Sequence, residues 1–189
     1  MKKILIVLFL LSLPGTVQSE IYFEIALEGG GETFATAESS NDYYSFDEDL
    51  NIGGGFKFAV GILKIVGEND GGSISLALGY LWNSIDADNG DADFSTITLD
   101  AIYNFRLNQH RLGIGPSYHI GPEYHDDIDG FAKTNIDFDD SLGLILQYSY
   151  EMTPGFYFGI RRTEMDYEAH GVSADASSTG LFFVLAGEW

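Results

Sequence analysis

Apolar residues alternate with small or polar ones, at a period of two, in eight successive blocks of this 189-residue chain. The blocks run Ile21–Gly31, Leu50–Val66, Ser73–Asn83, Phe94–Phe105, Leu112–Gly121, Phe138–Tyr150, Phe156–Tyr167 and Ser177–Trp189. Successive side chains of a strand point to opposite faces, so each block reads as a strand with two chemically unlike faces. The links between blocks are alternately long and short. The short ones are Glu68-Asn-Asp-Gly-Gly72, which carries an Asp-Gly hairpin signal, Leu107-Asn-Gln-His-Arg111 and Glu151-Met-Thr-Pro-Gly155. The long ones hold most of the acids: Glu38, Asp42, Asp47, Glu48 and Asp49, then Asp86, Asp88, Asp91 and Asp93, then Glu123, Asp126, Asp127 and Asp129, and last Glu168 and Asp175.

Which face points outward follows from volume. In the third block Ile74, Leu76, Leu78, Tyr80 and Trp82 oppose Ser73, Ser75, Ala77, Gly79 and Leu81. In the fourth, Ile97, Leu99, Ala101, Tyr103 and Phe105 oppose Thr96, Thr98, Asp100, Ile102 and Asn104, and in the fifth Leu112, Ile114, Tyr118 and Ile120 oppose Gly113, Gly115, Ser117, His119 and Gly121. Eight bulky faces turned inward would overfill a small barrel and leave glycine, serine and alanine facing water. Turned outward they meet lipid, and the small side chains fit a narrow lumen. The expected fold is therefore all-β, an eight-stranded antiparallel up-and-down transmembrane β-barrel, with short turns at one end, long acidic loops at the other, and both termini on the short-turn side. Phe23, Trp82, Tyr103, Tyr148, Tyr150 and Trp189 suit interfacial aromatic girdles, while Tyr22 falls on the inward phase.

The N-terminus reads as a secretory leader, residues 1–19, ahead of a barrel spanning 20–189. Lys2 and Lys3 precede an apolar run from Ile4 to Leu13, then Pro14-Gly15 and a compact cleavage region ending at Ser19. That run is shorter than the roughly 20 residues a spanning helix needs, and no later stretch qualifies. There is no cysteine, which excludes a lipoprotein and a disulfide framework. Loss of Lys2 and Lys3 with the leader moves the formal charge from −20 to −22. Such an acid excess argues against nucleic acid and anionic lipid surfaces as electrostatic partners.

Phase-matching the blocks puts Glu24, Glu28, Lys57, Asp100, Asn104, His119, Gln147 and Arg161 in the lumen. A buried charge without a partner costs several kcal/mol even after relaxation. Lys57 and Arg161 are therefore expected between Glu28, Asp100 and Glu24, in a network that plugs the barrel. Arg161 is the expected hub, because a guanidinium can bond two carboxylates at once. Such a network specifies packing and register, or it gates a channel by exchanging partners.

The closing segment Phe183-Val-Leu-Ala-Gly-Glu-Trp189, the eight-block alternation and Phe158-Gly-Ile-Arg-Arg-Thr163 together resemble the small OmpA/OmpX-type outer-membrane barrels. The resemblance covers the chain after the leader. It implies that Leu181, Phe183, Leu185 and Trp189, on one strand face, form the barrel-closing strand that the insertion machinery reads. It also implies that Arg161 looks into the barrel, with Arg162 outward at headgroup level. Gly187 departs from the pattern, standing where the family often has an aromatic or aliphatic residue, and no peptidoglycan-binding domain is expected after Trp189. Members of this architecture include adhesion and stress-resistance proteins, narrow pores and a few lipid A-modifying enzymes.

Specific chemistries find little support. Ser117 and His119 share a strand face with Glu123 close behind, but they fall on the inward phase and no full catalytic set can be named. Asp86-Ala-Asp-Asn-Gly-Asp-Ala-Asp93 has oxygen ligands without the EF-hand order, and His119, His125 and Asp126 lack a fixed zinc spacing. The expectation is a non-enzymatic barrel of a Gram-negative outer membrane, without cofactor or metal. Its work would be structural or surface interaction through acidic loops, with Tyr43, Tyr44 and Tyr124 as contact aromatics. The partners would be membrane lipid, lipopolysaccharide, the insertion machinery and an extracellular protein or glycan. The alternative is a narrow, cation-preferring channel.

Overall fold

Strands that face hydrocarbon must close on themselves, because an open edge would leave backbone N–H and C=O groups without partners. The computed structural model, which describes residues 19–40, 45–66, 71–87, 90–128 and 133–187, shows that closure. Its strands in chain order are β1 (Ser19–Gly29), β2 (Thr33–Ser40), β3 (Ser45–Asn51), β4 (Gly55–Val66), β5 (Gly72–Ala87), β6 (Gly90–Leu107) and β7 (His110–Ile128). Then follow β8 (Thr134–Asp137), β9 (Ser141–Thr153), β10 (Phe156–Glu164), β11 (Asp166–Ala169), β12 (Val172–Asp175) and β13 (Ser178–Gly187). Eight of them form the wall in the order β6-β5-β4-β1-β13-β10-β9-β7, and the β6–β7 ladder closes the ring. Every neighbouring pair in the wall is antiparallel. Residues 1–18 of the leader, Asp42, Tyr43, Tyr44, Asp88, Asp129 and Trp189 lie outside the described residues.

The outer surface is a belt of bulky apolar side chains. Phe23, Ile25, Phe58, Val60, Leu78, Tyr80, Ile114, Leu146, Ile160, Phe183 and Leu185 are all exposed. Aromatic contacts stitch this belt between strands, as where Phe158 and Phe183 approach to 4.9 Å. Inward positions are small or polar, and alanines of adjacent walls pack with Tyr22, Leu63, Tyr157, Phe182 and Val184 at the inner end, near the termini. Tyr22 lies inside, over Gly61, where a Cβ would fall 2.6 Å from its ring.

Above the belt the same alternation continues with its chemistry reversed. On β5, Trp82 is the last bulky outward residue. Ser84 and Asp86 follow it on the outside, and Ile85 lies inside. On β6, Asp91 and Asp93 alternate with buried Ala92 and Phe94. A strand leaving hydrocarbon for water keeps its face parity but needs polar residues outward and apolar residues inward. The inward groups gather into an apolar cap: Leu50, Ile52, Leu81, Ile85, Phe94, Tyr124, Phe138, Met165, Tyr167 and Ala174, with Phe34 and Ile136 packed against them.

The long links are thus largely folded strand, which corrects the sequence reading in four places. The second link is the tip of one continuous β5–β6 hairpin paired up to Ala87↔Gly90. The first forms the β2–β3 hairpin, and Leu50 and Ile52 enter the cap rather than the wall of block two. The third prolongs β7, which pairs β8, so block six starts at Ser141 and Phe138 joins the cap. The fourth is the β11–β12 hairpin, into which β10 runs with unbroken parity. Backbone bonds from Glu32 N to Asp175 O (2.6 Å), Phe138 N to Pro122 O (2.9 Å) and Asp139 N to Glu168 O (2.8 Å) bind these pieces into one extension.

Tyr124 is the clearest reversal. It was expected on a loop as a contact aromatic, and it is only 3 % exposed. The cause is a bulge in β7, where Ile97 faces Ile120 but Ser95 faces Glu123, so Gly121 and Pro122 together oppose Thr96. Gly121 takes φ +55°, a left-handed value suited to glycine. The extra residue shifts the inward phase from odd to even, and Pro122 and Tyr124 turn inside.

Candidate functional site

Side chains from all sides of the barrel meet in the middle of the lumen, between the inner alanine-rich layer and the outer cap. Arg161, on β10, is 3 % exposed, and Glu24, on β1, is 4 % exposed. The Arg161 guanidinium donates through Nη1 to Glu24 Oε1 (2.6 Å) and through Nη2 to Oε2 (2.7 Å), a two-pronged pair that matches the planar fork to the carboxylate. Its Nε and Nη2 also donate to Gln147 Oε1 at 3.1 and 2.9 Å. Gln147 passes the chain on, donating to Asn104 Oδ1 at 2.9 Å, and Asn104 donates to Ser75 at 3.3 Å. Gly113 leaves room for that amide bridge, since a Cβ there would lie 2.6 Å from both Asn104 Oδ1 and Gln147 Cγ.

A second pair lies beside the first. Lys57 Nζ, on β4, donates to Asp100 Oδ2, on β6, at 2.5 Å, and Ser117 donates to Asp100 Oδ1 at 2.6 Å. Arg161 Nη1 links the two pairs, at 3.9 Å from Asp100 Oδ2 and 4.0 Å from Glu28 Oε1. The five charged residues singled out in the sequence, Glu24, Glu28, Lys57, Asp100 and Arg161, therefore occupy one cluster around Arg161. Their order of contact differs from the expectation: Glu24 takes the bidentate bond, and Glu28 stands at the edge. Glu28 Oε2 accepts from Ser178 at 2.6 Å, and its Oε1 has no hydrogen-bond partner.

Two features of the lumen were missed from sequence. Arg111 is buried at the inner end on β7, where it donates to the Tyr157 hydroxyl at 2.6 Å, and it had been assigned to a turn. Carrying the inward parity of Gly113, Gly115 and Ser117 back by one step would have found it. The cap is the other. Within it His119 Nδ1 and the Tyr167 hydroxyl share a 2.6 Å hydrogen bond, and Phe94 and Phe138 lie against the Tyr167 ring at 5.7 and 5.5 Å. Burial pushes the Tyr167 phenol above its ordinary range, so it stays protonated and able to donate.

Ser117 and His119 thus bond to different partners, Asp100 and Tyr167. His125 bonds Asn135, and among the described residues no three His, Asp or Glu side chains are grouped to hold a metal. On the outside, Leu181, Phe183 and Leu185 of the closing strand face the belt. Arg162 is exposed beside them, donating to Glu164 at 2.7 Å and Thr179 at 3.1 Å.

No protein-family model matches this chain, and no curated protein sequence does either. Solved structures do. Neisserial surface protein A superposes with a TM-score of 0.52 at 14% identity, over 93% of this chain and 100% of that one. Ail, the attachment invasion locus protein of Yersinia pestis, gives 0.51 at 14% identity over 89% and 97%. The same protein in complex with the heparin analogue sucrose octasulfate gives 0.51 at 13% over 90% and 97%. The chain has the fold of the small outer-membrane barrels. At this identity the likeness is one of architecture, and the barrel's own residues have to carry any statement about its work.

Proposed function

We propose that the protein is an integral outer-membrane barrel, non-enzymatic and non-conducting, whose work is to stand in the membrane and present an acidic folded surface outside it. The observation that carries this reading is the stacking of two obstructions in the lumen. The Arg161-centred cluster crosses the middle, and the apolar cap of Phe94, Phe138, Tyr124 and Tyr167 lies directly above it. A solvated ion would have to displace a salt-bridge network and then cross an apolar layer. The exterior of the extension supports the second half of the reading. Asp86, Asp91, Glu123, Asp137, Asp139, Asp140, Asp166, Glu168 and Asp175 are all exposed on it. All but Asp139 and Asp140 stand on paired strands, so most of the charges are held in a fixed array.

The proposed partners follow from that surface and from the belt. Lipid and lipopolysaccharide meet the belt, and the insertion machinery reads the strand carrying Leu181, Phe183 and Leu185. An extracellular ligand of the acidic face would be a cationic protein surface. A sulfated glycan of the kind in the Ail complex would be repelled, because like charges juxtaposed across an interface cost affinity. Single-channel recording of the refolded barrel in a planar bilayer under a potassium gradient tests the proposal. A silent bilayer from demonstrably folded protein is expected. Steady cation-selective steps would replace the proposal with the narrow channel.

A further inference from the structure

Gly53-Gly54-Gly55 carries the chain back from the outer extension into the wall at the head of β4. Gly55 takes φ +129°, and a Cβ there would fall 2.3 Å from the Trp82 carbonyl oxygen, so β4 enters with its backbone pressed against β5. On the other side β1 ends at Gly29, one step beyond the Glu28↔Gly55 pair. This stretch of wall is short of side chains, and a notch of about 350 Å³ lies on its outer face. Small-molecule sites run from about 300 to 1,000 Å³. The lower edge of the notch is the last apolar row of the belt, Leu27, Phe56 and Trp82, cross-strand neighbours that are all exposed. Its upper edge is polar, with Asp49 and Asn51 from β3 and Asn83 and Ser84 from β5.

The amides of the upper edge are fixed. Asn83 Nδ2 donates to the Asn51 carbonyl at 3.1 Å, and Asn51 Oδ1 accepts from Thr33 at 2.8 Å. That leaves Asn51 Nδ2, Asn83 Oδ1 and the Ser84 hydroxyl without a protein partner among the described residues. None of the described residues lining the notch is a cation, so a phosphate would meet Asp49 with nothing to balance it. A sugar ring fits both edges. Its C–H face is apolar and packs on an aromatic such as Trp82, and its hydroxyls both donate and accept, which suits a mixed set of amide, hydroxyl and carboxylate groups. Height in the membrane identifies the carrier of the sugar. The notch straddles the level where Trp82 gives way to Ser84 on the outer face of β5, so a ligand seated in it has hydrocarbon directly below. We propose that the notch binds a sugar ring of the glycolipid around the barrel, lipopolysaccharide, with the acyl chains of that lipid lying against Leu27, Phe56 and Trp82.

This site presupposes a barrel standing in the outer membrane, and the gel shift of the folded protein in phosphatidylcholine vesicles tests that reading by itself. The notch is read by fluorescence. Trp189→Phe leaves Trp82 as the sole tryptophan, and its emission is followed as lipid is added to the vesicles. Rough lipopolysaccharide should shift the emission saturably. Phosphatidylglycerol, anionic but without sugar, should not, and the deacylated oligosaccharide of lipopolysaccharide should act only at higher concentration, for want of chains. Asp49→Ala/Ser84→Ala, at two exposed positions, should keep the folded gel band and raise the lipopolysaccharide midpoint at least about fivefold, the loss expected of two ordinary hydrogen bonds. Should that variant not fold, Ser84→Ala alone is read in its place. An equal shift with phosphatidylglycerol, or an unchanged midpoint in the variant, overturns the proposal. Free oligosaccharide acting at the same midpoint as the intact lipid also overturns it, because the ligand is then a soluble glycan.

Discussion

Replacing Arg161 by methionine isolates what the central ion pair contributes, because methionine fills much of the arginine's volume and leaves only the charge and its hydrogen bonds missing. Glu24 would then be a buried carboxylate with no hydrogen-bond partner among the described residues, since both its bonds, at 2.6 and 2.7 Å, come from Arg161. Asp100 would lose a cation at 3.9 Å but keep Lys57 at 2.5 Å, so its loss is secondary. Gln147 would lose both donors to its Oε1 but keep its bond to Asn104. Removing one partner of a buried pair costs about 3–5 kcal/mol, because the other charge stays desolvated. Removing both should recover much of that, as buried pairs replaced by apolar residues of similar volume are often no less stable. The expectation for R161M is therefore a loss of about 3–5 kcal/mol, and for Glu24→Leu/Arg161→Met a loss smaller by at least about 2 kcal/mol. Urea unfolding in lipid vesicles, followed by tryptophan fluorescence and by the gel shift of the folded barrel, measures both. If R161M lies within about 0.5 kcal/mol of wild type, as a surface substitution would, or if the two changes simply add, Glu24 is not held as a charged partner of Arg161 and the reasoning fails.

Tyr167→Ala should empty the centre of the cap and strip His119 of its partner, at a cost of about 3–5 kcal/mol. The damage should show as faster protease cleavage within the outer extension while the wall strands stay protected. Gly115→Ala should abolish folding, because its Cβ would fall 1.9 Å from the Ala101 carbonyl oxygen across the β6–β7 ladder, and the folded gel band would be missing. Asp175 accepts the Ser177 N–H at 2.8 Å, and bonds from Ser177 hold its carboxyl below the usual carboxylate range. A depressed folded value means the contribution is complete above the unfolded value of about 3.9 and fades as pH falls through the folded one. Hydrogen exchange in β11 and β12 should therefore quicken only in acid, and Asp175→Asn should show the faster exchange already at neutral pH.

The parts of the molecule that were legible from sequence, and the parts that were not, divide along the membrane boundary. Within the belt, parity alone decides which side of the wall a residue occupies, so Ile74 and Leu76 outside and Ser73 and Ser75 inside can be read directly. Beyond Trp82 the parity is unchanged, but water replaces lipid around the barrel. There Ile85 must be inside for the same reason that Leu78 is outside. A reading that associates apolar with outward sees the pattern stop at Asn83, although it has only changed sign. The alternation Asp91-Ala-Asp-Phe94 carried the information, provided the solvent was allowed to change along one strand. The bulge at Gly121 hid Tyr124 in a different way, since one added residue flips the phase and no composition signal marks it.

Contacts across the lumen are a separate problem. That Glu24 and Glu28 face inward follows from their spacing on β1, but which of them meets Arg161 depends on how far each strand is staggered against the next. Arg161 pairs with Gly180 on one side and Gln147 on the other, and Gly180 in turn pairs with Glu28, so the ladders put Glu28 in the row of Arg161, yet the bidentate bond goes to Glu24, four residues away along β1 and opposite Val184. Stagger accumulates around a closed sheet and is set by all eight ladders together. A one-residue slip in any ladder would exchange lipid-facing and lumen-facing side chains along that strand. Charged residues at Lys57, Asp100 and Arg161 make such a slip costly, because each would be carried from a partnered site in the lumen into hydrocarbon. The mid-lumen cluster is in this sense also what selects the register.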